Sequence, residues 1–265
     1  MRLMRWLRLA RAHSAWGAAL AVWVGGRLAG ADWAMWWLQP MAVAFLLSAA
    51  GNAFNDAHDA VSDQINRPDR PIPRGELTSA QAAAFAWVCI GLALLLAWPF
   101  GAGSRLGTVA GAALALLYTT HLKGIPVVGH AVVAVLTGMA LGYGGLLAGD
   151  VAVILLPAAA FGLFFAAREM LKTIHDALGD VAQGTATLTT RWGPRMALGM
   201  ATLTMMGALL LLRGVNAGLA WWGVALLCGA VVGPLWSARP QQRVARALAL
   251  SKALGLALLV ALALG

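Results

Sequence analysis

A chain of 265 residues that is 61% hydrophobic and 11% charged, with a formal net charge of +9, is neither a soluble globular domain nor a disordered one. Its mean hydropathy of +0.77 points to a membrane protein. The two cysteines, Cys89 and Cys228, fall inside apolar runs and imply no disulfide framework. The basic excess belongs to membrane topology and lipid attraction, and no nucleic-acid partner is implied.

The basic start, MRLMRWLRLARAH, runs into an apolar segment with no convincing cleavage site, so no signal peptide is expected. Nine apolar runs follow, at about 14–31, 33–54, 79–100, 106–121, 125–147, 150–171, 194–213, 216–237 and 246–264. Each approaches the length a helix needs to cross a bilayer, the fourth being short. No repeat or long linker divides them. The expectation is one all-α, polytopic membrane domain over residues 1–265.

Nine spans place the N-terminus and the connections after spans two, four, six and eight on one side. That side carries sixteen of the nineteen Lys and Arg residues; only Arg27, Arg105 and Arg213 fall opposite. This bias predicts a cytoplasmic N-terminus. Trp33, Trp36 and Trp37, with Trp221 and Trp222, are expected as interfacial anchors on the far side. Eight of the ten acidic residues also fall on the basic side, although acids contribute little to topology.

After span two comes GNAFNDAHDAVSDQINRPDRPIPRG, residues 51–75. Offsets of three and four put Asp56, Asp59 and Asp63 on one face of a helix, a turn apart. Stacked like charges repel, so a positive group must lie between them. An all-oxygen array suits a hard cation, Mg²⁺ above all, with phosphate oxygens completing the shell. The prolines that follow predict an extended, stiff loop that presents Arg67, Arg70 and Arg74 to phosphate.

Residues 118–126, YTTHLKGIP, offer Tyr118 and Lys123 as further phosphate donors. After span six, REMLKTIHDALGD spaces Arg168, Lys172, Asp176 and Asp180 one helical turn apart. Charges there are costly in lipid, so the stripe should face a polar cavity. Two carboxylate clusters on one membrane face can hold Mg²⁺ with a diphosphate between them and stabilise its departure. The histidines are read as polar packing groups and not as metal ligands, for no zinc-like spacing joins them.

These residues resemble the UbiA superfamily of intramembrane prenyltransferases. The signature N-D-x-x-D-x-x-x-D is matched by Asn55, Asp56, Asp59 and Asp63. Its longer form, from Gly51 and Asn52 through Asn66 and Arg67 to Gly75, is most similar to the archaeal-type digeranylgeranylglyceryl phosphate synthase branch, and also to chlorophyll synthases. Tyr118, Leu122, Lys123 and Pro126 match the middle signature. Arg168, Glu169, Lys172, Asp176, Gly179 and Asp180 match the last.

The resemblance implies nine transmembrane helices around a central cavity with a cytoplasmic cap. Asp56, Asp59, Asp63, Asp176 and Asp180 would bind Mg²⁺, with Lys172 and Tyr118 catalytic. Asn52, Asn55, Arg67, Arg70, Arg74, Lys123, Arg168, Thr173, His130 and Arg11 would contact substrate. It implies transfer of a polyprenyl group, such as geranylgeranyl, from its diphosphate to a lipid-soluble acceptor, with geranylgeranylglyceryl phosphate one candidate. Aromatic, quinone or chlorophyll-type acceptors, internal quenching as in a membrane terpene cyclase, and a transporter or lipid-binding protein stay open. Departures from the family pattern fall where an acceptor would sit: Ala12, His13 and Ser14 after Arg11, and also His130, Thr173 and His175.

Overall fold

The computed structural model describes residues 2–215 and 240–264, with 224–225, 228–229 and 232–236 between them. Among these residues every regular element is helical. They are α1 (Arg2–Leu9), α2 (Ala12–Leu28), α3 (Leu38–His58), α4 (Ala60–Asn66), α5 (Ser79–Ala97), α6 (Gly101–Leu117), α7 (Val128–Ala148), α8 (Leu155–Gln183), α9 (Leu188–Trp192), α10 (Pro194–Val215) and α11 (Pro240–Leu264). Helices stand at each expected span except 216–237, which lies largely outside the described residues; Trp221 and Trp222 are not among the described residues.

Four helical stretches among the described residues are long and apolar enough to cross a membrane: Ser79–Leu122, Val128–Ala148, Ala152–Gln183 and Pro194–Val215. The first holds two expected spans. Pro99 and Gly101, at φ +84°, turn the chain between α5 and α6. Ala112 and Leu116 near the end of α6 therefore share a core cluster with Ala82 and Ala86 near the start of α5. Shorter or more polar helices stand at the other described spans. α2 has only 17 residues, and α3 ends in Asn52, Asn55 and Asp56.

Local signals fix the helix ends. Thr78 and Gln81 form a reciprocal capping box at the start of α5, and Gly184 ends α8 in the left-handed conformation. Glycines set how closely helices cross. A Cβ on Gly25 would overlap the Leu141 carbonyl, and one on Gly144 the Val22 carbonyl, so α2 and α7 pack backbone to backbone. A Cβ on Gly162 would likewise overlap the Ala134 carbonyl, which brings α8 against α7. One core gathers Phe161, Phe164, Leu171, Leu198 and Met205 of α8 and α10; another joins α1, α3 and α5 through Leu9, Phe54 and Cys89.

Three expectations need correction. The helix carrying Asp56, Asp59 and Asp63 is not continuous: α3 ends at His58, and Asp59, at φ −86° and ψ 13°, separates it from α4. The proline segment is compact, not extended. Arg70 N donates to Arg67 O, Arg74 N to Arg70 O and Glu76 N to Pro71 O, because proline at early turn positions supports such bonds. Trp37 is buried, its indole N–H donating to Asp32 O at 3.1 Å, while Trp33 and Trp36 stay exposed.

Candidate active site

α8 has 29 residues, a length of about 44 Å that exceeds the ~30 Å hydrocarbon core. Its polar end runs alongside α4, and the contact depends on two residues. Asn66 Nδ2 donates to Asp176 O at 2.8 Å, and Gly179 N donates to Asn66 Oδ1 at 3.1 Å. Gln183 adds to this, accepting from Ser62 N at 3.2 Å and donating to His58 O at 3.1 Å. The two acidic segments, more than a hundred residues apart in sequence, thus meet along one seam.

The break at Asp59 lets each carboxylate of the first segment find its own cation. Asp56, 1% exposed, pairs with Arg11 and, at 3.1 Å, with Arg70. Arg70 also reaches Asp63 at 2.5 Å, while Asp59 pairs with Lys123. Burial alone would raise the Asp59 carboxyl, but the Lys123 ammonium overrides it and holds the group below its ordinary value. For Asp63 burial prevails over Arg70, and its value is raised. In the second segment Asp176 pairs with Arg67 at 2.8 Å and with His175 at 2.7 Å.

Between the segments lies a cavity of about 50 Å³, room for a few water-sized groups. Of the residues singled out from sequence, Asp59, Asp63, Arg70, Tyr118, Lys123, His130, Lys172, Thr173, Asp176 and Asp180 line it. Tyr118 and Lys123 flank a π-helical turn, Tyr118–Leu122, whose closing bond runs from Lys123 N to Tyr118 O at 2.8 Å. Thr173 donates to Met170 O and shares a 2.8 Å bond with Thr189. His130 is buried, its Nδ1 without a hydrogen-bond partner.

The remaining predicted residues stand behind this lining or away from it. Arg11 bridges Asp56 and Asn52, and Asn52 also donates to Ala10 O at 3.0 Å. Asn55 accepts from Thr119 at 2.7 Å. Arg67 faces Asp176 and His175. Arg168 is held by Glu169 and Ser251. Arg74 is not brought to the cavity; it pairs at the surface with Glu76.

Sequence reasoning named Glu169 and Asn66 only as signature matches without a role at the site, and it missed Ser62 and Thr187 as lining residues. Glu169 had a signal, standing three residues before Lys172 and seven before Asp176 on the same helical stripe. Asn66 had one too, three residues after Asp63.

The donor chemistry suits a hard cation, since every carboxylate offers oxygen and Asp56 Oδ2 is buried without a hydrogen-bond partner. Among the described residues, however, no three Asp, Glu, His or Cys side chains stand close enough to hold one ion. The positive charge that the stacked aspartates require is supplied here by Arg11, Arg70 and Lys123. The donor set fits such a cation by its oxygen chemistry.

Long apolar helices that converge on a buried, charge-paired polar cavity define an integral membrane protein that takes up a polar group at the end of its helices. Residues 14–262 match the UbiA prenyltransferase family, and the chain belongs to it: this is a prenyltransferase. The digeranylgeranylglyceryl phosphate synthase of Methanopyrus kandleri is 35% identical over 260 residues, which cover 91% of this chain and 93% of the relative. The apo structure of a UbiA homologue from Aeropyrum pernix K1 superposes with a TM-score of 0.78 at 20% identity, covering 94% of this chain and 97% of that one. A UbiA homologue from Archaeoglobus fulgidus, solved bound to GPP and Mg²⁺, gives a TM-score of 0.68 at 17% identity, covering 97% and 99%. At these identities the solved structures speak for the fold.

Proposed function

We propose that this enzyme moves a geranylgeranyl-type polyprenyl group from its diphosphate to geranylgeranylglyceryl phosphate within the membrane, releasing diphosphate. The observation that carries the reading is the seam between α4 and α8. It sets Asp59, Asp63, Asp176 and Asp180 around one cavity together with Arg70, Lys123 and Lys172. Support for this donor and acceptor comes from the Methanopyrus relative, which is named for that synthesis and aligned along nearly the whole chain.

Asp56, Asp59, Asp63, Asp176 and Asp180 are the residues that would hold Mg²⁺, a cation with which the Archaeoglobus homologue was solved. When bound, the ion neutralises diphosphate charge as the leaving group departs. Arg70 and Lys123 release Asp63 and Asp59 and donate to the diphosphate oxygens, with Lys172 donating from the opposite wall. The Tyr118 hydroxyl lies on the same lining and donates to the departing oxygen. The bond from the prenyl C1 to the diphosphate breaks, a bond from C1 to the acceptor oxygen forms, and the acceptor hydroxyl's proton passes to the departing diphosphate. Buried walls keep water from the electron-poor C1. His130 and Thr173 face the acceptor.

The same reading takes residues 1–265 as one domain of nine membrane-crossing helices around the cavity, with N-terminus and polar loops cytoplasmic. The positive-side bias of the sequence supports that orientation.

The test is product analysis by mass spectrometry after reconstitution in nanodiscs with Mg²⁺, geranylgeranyl diphosphate and geranylgeranylglyceryl phosphate. The expected product is the doubly geranylgeranylated glycerol phosphate, with one diphosphate released per product. A product formed only with an aromatic acceptor, or a cyclised prenyl product without any acceptor, overturns the assignment.

A further inference from the structure

Next to the cavity, basic side chains from three helices meet with too few carboxylates. His13 stands in the first turn of α2, Arg168 on α8 and Lys252 on α11. Lys252 Nζ lies 3.4 Å from His13 Nε2. Arg168 Nε donates at 3.1 Å to the hydroxyl of Ser251, the residue before Lys252. Arg168 also pairs with Glu169 at 2.9 Å, but that carboxylate is shared with Lys172 at 3.1 Å. Arg11 is committed to Asp56. Among the described residues no carboxylate pairs with Lys252. Burial, then the charges of Lys252, Arg11 and Arg168, hold the His13 imidazole below its ordinary value, as expected for a group set among cations.

Positive groups gathered in this way repel, and an anion relieves them. The amino end of α2, which begins at Ala12 with no side-chain cap, adds its positive dipole end to the potential near His13. His13 and Lys252 are exposed and open to an incoming group. Arg168 stands eight residues before Asp176 on α8, about 12 Å along the axis, so this corner lies farther along α8 than the Asp176 end of the cavity.

We infer that this corner of α2, α8 and α11 is a subsite for a phosphate monoester and receives the headgroup of the acceptor lipid. The assignment rests on the transfer reaction proposed above, because the donor's diphosphate belongs to the Arg70–Lys123 end. Lys252 and His13 donate to the phosphate oxygens, and Ser251 keeps Arg168 turned toward them.

Binding in nanodiscs of zwitterionic lipid tests this, with geranylgeranylglyceryl phosphate and phosphate-free geranylgeranylglycerol as probes. The wild-type chain should hold the phosphorylated lipid at least about tenfold more tightly. Lys252→Gln should abolish most of that preference, and His13→Ala should weaken it. Lys252→Arg should keep it, and affinity for geranylgeranyl diphosphate should stay within about twofold in all three. Equal wild-type affinity for the two probes, or an undiminished preference in Lys252→Gln, overturns the subsite. If Lys252 instead binds membrane headgroups, Lys252→Gln weakens both probes alike and anionic phospholipid in the disc competes with them, which overturns it too. The two readings fail separately. A Lys252-dependent preference without turnover of this lipid removes the proposed reaction and leaves the subsite, whereas turnover indifferent to Lys252 does the reverse.

Discussion

Asn66 and Gly179 join the two acidic segments: the Gly179 amide donates to the Asn66 side chain at 3.1 Å, and only a residue without a side chain leaves room for that approach. A Cβ at position 179 would overlap Asn66 Nδ2 and lie 2.5 Å from Ser62 O. The glycine sits within a helix, where it has a propensity cost of about 1 kcal/mol relative to alanine. Close packing of α4 explains its presence.

Gly179→Ala should therefore push α4 from α8 and separate the carboxylates of the two segments. Turnover is expected to fall by more than about tenfold, with a loss of stability of about 1–3 kcal/mol from overpacking. Gly91→Ala, whose Cβ meets nothing within 4 Å, is the control and should leave both unchanged. Initial rates and thermal unfolding in the same nanodiscs make the comparison. Equal behaviour of the two variants would deny the seam its role.

Much of this arrangement is visible in the sequence and some of it is not. Periodicity finds the stripe from Arg168 to Asp180, because α8 is one uninterrupted helix and spacing alone fixes its face. The same reasoning fails at Asp59. A helix read from spacing has no means of showing that three aspartates are relieved by a break and by cations from Arg11, 45 residues upstream of Asp56, and Lys123, 64 downstream of Asp59. Composition likewise marks Trp37 as an anchor, whereas the tight pocket at Gly26 that buries it exists only after folding. Arg70 and Arg74 stand in the same proline-rich segment, and only the compact turns decide which one faces the carboxylates.

Activity should depend on both carboxylate segments and on a divalent cation. Replacing Asp56, Asp59, Asp176 or Asp180 by Ala is expected to lower turnover at least about a hundredfold, as for loss of a main electrostatic stabiliser. Asp56→Ala has a second consequence, since it strands Arg11 and takes one of two partners from Arg70. Chelator should abolish diphosphate release in the wild type, and added Mg²⁺ should restore it. A wild-type rate from Asp56→Ala, or full activity in excess chelator, would refute the metal-diphosphate assignment.

Orientation has its own check. Reporters fused before Met1 and after Gly265 should lie on opposite faces, cytoplasmic and external respectively, because the nine crossings proposed above are odd in number and the basic side is the N-terminal side. If both report one face, a crossing is miscounted, and the short run 106–121 is the first to re-examine by cysteine accessibility.

Acceptor choice should turn on two residues of the cavity wall that depart from the family signature. His130 is 7% exposed with an unpartnered Nδ1, and a buried polar atom left without a bond needs a partner from the substrate to offset its lost hydration. Thr173 lies three residues before Asp176 and seven before Asp180, and its hydroxyl is already bonded to Met170 O and Thr189. A carboxylate in its place would add a negative charge to those of Glu169, Asp176 and Asp180 on that stripe, favour cation binding and repel a phosphorylated acceptor. His130→Asn retains a hydrogen-bonding group but moves it and shrinks the wall. Both Thr173→Asp and His130→Asn should thus alter the ratio of turnover with glycerophosphate-type and aromatic acceptors by about tenfold, while the KM for the prenyl diphosphate changes little. Competition between the two acceptors, scored by product mass, measures the ratio. If neither variant shifts it, these positions pack the wall without touching the acceptor, and the discriminating groups lie elsewhere along α2 and α8.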